Sequence, residues 1–229
     1  MSELPLQPQD AGPQVYAERP LPSPRAVAVV LLGLAAFDTL LTALLGSAAG
    51  AAASTAGAAL VIALLFGAGM LEQHRVHQRA VLLGPTLPWA VPYVVPLVTI
   101  DPASVRLHHR ANFIGRRLQQ QGTPNLRMVP YLTVAVSFKG LDPLAAHPRR
   151  RRRAPTVFTE PLLHHDNTPH TPVVTQRWVL ATRHPDRLLR ALEQVLTDAG
   201  VPGVTGLAER ELRNPLVEHW RHTPNSPDP

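Results

Sequence analysis

Apolar side chains run almost unbroken from residue 26 to residue 71, where Asp38 is the only ionisable group. A bilayer core takes about 20 apolar helical residues per crossing. The stretch therefore predicts a transmembrane helical hairpin, with spans at 26–47 and 52–71 joined by a Gly/Ala/Ser turn. In the second span Thr55, Ala59, Ala63 and Gly67 recur every four residues, a small-residue face against which another backbone can pack. Asp38 falls near the middle of the first span, where a charged carboxylate is costly. A hydrogen bond to Thr42, Ser54 or Thr55 is the expected remedy; an ion or proton site, or a contact with another membrane protein, is the functional alternative.

The pattern changes on both sides of this stretch. Residues 1–25 are rich in proline with little apolar periodicity, which predicts a disordered tail. Residues 81–100 are apolar again, but Pro85, Pro88, Pro92 and Pro96 each remove a backbone donor and argue against a third crossing. Two short strands, 79–83 and 93–100, are expected instead, with Trp89 and Tyr93 near the membrane interface. Alternation of apolar and polar positions predicts further strands at 104–108, 113–118, 131–138 and 173–182, with Trp178 and Leu180 as core residues. Pro185 then opens a helix whose Leu188, Leu189, Leu192, Val195 and Leu196 form one apolar stripe, ended by Gly200 and Pro202. Short helices are expected over 205–222.

These elements define an α+β membrane protein. A disordered tail (1–25) precedes the transmembrane hairpin (26–71). A small antiparallel β-barrel or curved sheet capped by an amphipathic helix follows (72–203), interrupted by a disordered Arg/Pro/His-rich loop at about 145–172. A helical extension (204–229) completes the chain.

Charge orients this arrangement. The formal net charge of +6 arises beyond residue 71, Lys139 is the only lysine, and cysteine is absent. No disulfide framework or thiolate metal site is available. Arg25 precedes the apolar stretch, while His74, Arg75, His77 and Arg79 follow it, and the connecting turn carries no charge. The positive-inside rule then places both termini on the cytoplasmic side of the cell (inner) membrane.

Five consecutive arginines, Arg149, Arg150, Arg151, Arg152 and Arg153, are the sharpest candidate site. Near a cytoplasmic leaflet each is attracted to anionic headgroups by about 1 kcal/mol; without such a surface the run is a solvated, self-repelling loop. No stacking aromatic or nucleic-acid-binding motif accompanies it, which favours lipid over nucleic acid. Arg106, Arg110, Arg116 and Arg117 form a second basic cluster, read as a phosphate or lipid-headgroup contact or as an ordinary basic surface. His164, His165, Asp166 and His170 carry metal-ligating chemistry but share a Pro/Thr-rich loop with nothing to fix their geometry, so no metal site is assigned. No phosphate loop, nucleophile elbow or paired carboxylates appear; no catalytic residue, cofactor or enzymatic activity is expected.

The run Trp178-Val179-Leu180-Ala181-Thr182-Arg183-His184-Pro185, leading into Asp186-Arg187-Leu188-Leu189, resembles the last strand and closing helix of membrane-anchored bacterial PH-like domain proteins. The Ile100-Asp101-Pro102 step is similar to them as well, and the Ala, Arg, Pro and Leu richness suggests an actinobacterial type. The resemblance covers about 79–199. It implies a cytoplasmic interaction or scaffold domain that binds a membrane or membrane-proximal protein, with anionic-lipid contacts and homo-oligomerisation also open. The alternative is a small accessory or regulatory subunit of a membrane transport complex, acting through the hairpin and Asp38.

Overall fold

The computed structural model describes residues 7–20, 24–45, 55–57, 59–60, 72–85, 92–111, 126–127, 133–141, 164–165 and 174–217. The chain divides into two compact units, one formed by Met1–Pro20 with Glu72–Pro229 and the other by Leu21–Leu71.

The smaller unit contains helix α1 (Pro24–Leu45) and helical residues at 55–57 and 59–60. Among the described residues no helix is long and apolar enough to cross a membrane. The expected transmembrane hairpin is therefore corrected. A crossing requires an apolar helix that is continuous over about 20 residues. Asp38, Thr39 and Thr42 place polar groups in the second half of α1. Thr39 and Thr42 turn their hydroxyls back onto the carbonyls of Ala35 and Asp38, both at 2.8 Å. The Thr55 hydroxyl donates to the Asp38 carboxylate. Of the three partners expected for that carboxylate, Thr55 meets it, Thr42 bonds the Asp38 backbone carbonyl instead, and Ser54 lies outside the described residues.

In the larger unit, residues 8–18 of the proline-rich start, expected to be disordered, form regular structure. Pro8–Ala11 make a 3-10 turn, and β1 (Gln14–Glu18) lies between the prolines at 13 and 20. β1 pairs antiparallel with β2 (Glu72–His77), so the chain leaves for the smaller unit and returns from it on neighbouring strands. β2 continues into β3 (Ala80–Pro85), and β3 pairs with β4 (Tyr93–Pro96), giving an antiparallel sheet in the order β1-β2-β3-β4.

A second sheet is built on β5 (Asp101–His109), β7 (Val134–Gly140) and β9 (Val174–Ala181), which pair antiparallel as a meander. Short strands β6 (Leu126–Arg127) and β10 (Leu216–Val217) add parallel edges to β9 and β5, and β8 (His164–His165) pairs with β9. Two sheets, one antiparallel and one mixed, thus replace the single small barrel or curved sheet expected. Helix α2 (Pro185–Asp198) follows β9, and α3 (Leu207–Arg213) follows α2.

One core joins these elements. Val76, Val81, Leu83, Tyr93 and Val95 of the first sheet meet Leu107, Val136, Phe138, Trp178 and Leu180 of the second. The α2 stripe expected from its spacing, Leu188, Leu189, Leu192, Val195 and Leu196, is buried against both. Tyr93 is not an interfacial residue: it is buried, with its ring centroid 5.3 Å from that of Trp178. The Trp178 indole N–H donates to the Gly140 carbonyl at 3.1 Å, which satisfies the one polar atom of a fully buried side chain. The opposite face of the first sheet carries a smaller buried cluster of Ala11, Ala80, Leu82 and Val94.

Candidate functional site

Three polar clusters in the larger unit lie apart from the sites expected from sequence. The first joins β1 to the β9–α2 junction. Alternation along β1 turns Tyr16 and Glu18 to the core side, where Glu18 is only 7% exposed. One Glu18 carboxylate oxygen accepts from the Tyr16 hydroxyl at 2.8 Å and from the Thr182 hydroxyl at 2.5 Å; the other accepts the Arg183 backbone N–H at 2.7 Å. The Thr182 hydroxyl in turn accepts the His184 N–H at 3.0 Å, at the residue that begins α2. Burial above all, then the hydrogen bond and charge of Glu18, hold the Tyr16 phenol well above its ordinary pKa. Both Glu18 oxygens are thus occupied by fixed donors, which makes the residue a positioning group for the strand.

The second cluster pairs His108 with Ser137 on neighbouring strands β5 and β7. His108 Nε2 lies 2.8 Å from Ser137 Oγ. A hydroxyl within hydrogen-bond reach of an imidazole is the geometry of a nucleophile and its base. Both residues are only 2% exposed, however, so no substrate reaches them and the pair acts as a satisfied polar contact inside the sheet.

The third cluster lies on β2. Its register sets Arg75 opposite Leu82, and His77, two residues on, shares that face. His77 Nδ1 is 2.7 Å from the Gly12 carbonyl oxygen. Buried His77 Nε2 and buried Arg75 Nε make no hydrogen bond, although both residues keep partial exposure. Burial lowers the pKa of the Arg75 guanidinium from its ordinary value.

The expected basic sites resolve differently. Arg106 Nη1 donates to the Val105 carbonyl at 2.7 Å and to Glu211 Oε1 at 3.3 Å. Glu211, almost fully buried on α3, also accepts from Arg210 Nε at 3.0 Å and from the Leu107 N–H at 3.3 Å. Arg106 is therefore engaged in holding α3 to β5. Arg110 is exposed and adopts a left-handed backbone, with φ of 55°. Arg116, Arg117 and residues 149–153 lie outside the described residues, as does Trp89. His164 and His165 form β8 beside Thr175 and Val174, whereas Asp166 and His170 lie outside the described residues. Among the described residues no three His, Asp or Glu side chains gather as a metal site.

Sequence reasoning missed Tyr16, Glu18 and Thr182. The available signal was local: Gln14-Val15-Tyr16-Ala17-Glu18 is a proline-free run whose alternation puts Gln14, Tyr16 and Glu18 on one face. With the geometry in view, the larger unit belongs to the α+β class, two sheets closed by helices. No protein-family model matches the chain, and no curated protein or solved structure matches it either.

Proposed function

We propose that the chain is a PH-like interaction module that binds a protein partner at the inner surface of the cell membrane. The observation that carries this reading is the order of its main elements. A four-strand antiparallel meander precedes a three-strand meander, and α2 follows directly to fill the space between them with six buried apolar residues. That order supports the resemblance seen around Trp178 to Leu189. A core occupied by Trp178, Phe138 and the α2 leucines leaves recognition to strand edges and loops, where binding residues concentrate. Arginines 149–153 supply contacts to anionic headgroups in this reading, supported by their charge density.

Cross-linking of the full chain in cells, followed by mass spectrometry, tests the protein-binding part. Cross-links to one protein concentrated on the strand edges and loops of the larger unit support it; cross-links confined to residues 21–71 overturn it. For the lipid part, replacing all five arginines with serine should weaken binding of the full chain to phosphatidylglycerol vesicles. Unchanged binding removes the lipid contact from the proposal.

A further inference from the structure

The β2 cluster contains two buried nitrogens that hydrogen-bond to nothing, and their chemistry specifies a ligand. A carbonyl oxygen can only accept, so the 2.7 Å contact with Gly12 puts the His77 proton on Nδ1. Nε2 of the neutral ring is then an acceptor with a bare lone pair. Arg75 Nε–H, on the same strand face, is a donor that is always charged. Two residues of a strand on one face stand about 7 Å apart, a span that one tetrahedral ion can bridge. Leu82 and Val94, fully buried on the same side of the sheet, make these surroundings poor in water.

We propose that Arg75 and His77 hold a phosphate group. Its anionic oxygens accept from the Arg75 guanidinium, and the hydroxyl of its monohydrogen form donates to His77 Nε2. A carboxylate or a sulfate meets the arginine equally well but has no hydroxyl at neutral pH for the imidazole. Both nitrogens are covered in this structure, so the part-exposed side chains of Arg75 and His77 turn aside to admit the group. The site is independent of the PH-like reading and of residues 149–153, since it is built wholly from β2 and the Gly12 turn.

The test is a calorimetric titration of the full chain with inorganic phosphate at neutral pH, repeated with sulfate. The His77 Nε2 resonance is followed by nitrogen NMR. Phosphate should bind at one site per chain and shift the Nε2 resonance, with sulfate about tenfold weaker or more. Arg75→Lys keeps the charge but removes Nε–H, and His77→Asn keeps an N–H for Gly12 but removes Nε2. Each should lose about tenfold or more in phosphate affinity while circular dichroism stays unchanged. Phosphatidic acid vesicles, compared with phosphatidylcholine vesicles, distinguish a lipid headgroup from a free phosphate ester. Binding to either source that both variants lose supports the site. Absence of binding to both sources overturns the proposal, as does sulfate binding as tightly as phosphate. Should the variants fail to fold, the wild-type sulfate comparison and the Nε2 shift still decide.

Discussion

Glu18 accepts the hydroxyl hydrogen of Thr182, a residue 164 positions further along the chain. The contact secures β1, an edge strand, to the point where β9 ends and α2 begins. Glu18→Ala leaves the Arg183 N–H and the Thr182 hydroxyl without their buried acceptor, which should cost about 1–3 kcal/mol. Urea unfolding of the variant measures this. A double-mutant cycle with Thr182→Val should return a coupling of about 0.5 kcal/mol or more. A coupling of zero would mean that β1 is held by its pairing with β2 alone.

The Tyr16 phenol makes the same region sensitive to alkali. Burial, and after it the Glu18 carboxylate, raise its pKa in the folded chain. The unfolded chain loses the phenol proton near pH 10, while the folded chain retains it. Folding therefore binds the proton more tightly, and the stability this contributes is complete below pH 10 and declines as the pH rises further. Tyr16→Phe should flatten that alkaline decline. In a phenolate absorbance titration, the signal that Tyr16→Phe removes should appear only as the chain unfolds. If that signal appears near pH 10 with the fold intact, the account of Tyr16 fails.

Local pattern revealed the second half of the larger unit well, for physical reasons. Alternation marked β7 and β9, Trp178 and Leu180 are buried as it implied, and the 3.6-residue spacing of the leucines marked α2 with its buried face. The first half was harder to see. β1 takes its stability from Thr182 and Arg183, partners that no local window contains, and the surrounding prolines suggested disorder. The apolar stretch misled in another way. Hydropathy predicted two crossings, whereas among the described residues no helix is long and apolar enough for one. Arg106 looked like a free basic residue because Glu211, its partner, lies 105 residues away.

Gly140 ends β7 where three elements converge. A Cβ there would lie 2.7 Å from Val95 Cγ1 and 3.3 Å from Ile100 Cγ1, while the Gly140 carbonyl accepts from Trp178. Gly140→Ala should thus destabilise the fold by about 1–3 kcal/mol through overpacking. Removing the obstructing methyls should relieve part of the strain, so Gly140→Ala combined with Val95→Ala should cost less than the sum of the two single changes. Strict additivity in thermal unfolding would show that the neighbours do not clash.

Helix α3 begins without a capping side chain of its own, since its N-cap position is Gly206 in a left-handed conformation with φ of 72°. Glu193, on α2, takes that role across the helix pair. One carboxylate oxygen accepts the Gly206 N–H at 2.7 Å and the other accepts the Ala208 N–H at 3.0 Å. The first turn of a helix leaves its N–H groups unpaired, and a carboxylate there also complements the positive end of the helix dipole. Glu193→Ala should accordingly cost about 0.5–2 kcal/mol, the usual range for losing a cap. Its effect should be local. Hydrogen exchange should accelerate at Gly206 and Ala208, whereas the Leu107 N–H, held by Glu211 from the last turn of α3, should stay protected. Exchange that is unchanged at both capped amides would mean that Leu207, fully buried in the core, holds the first turn by packing alone.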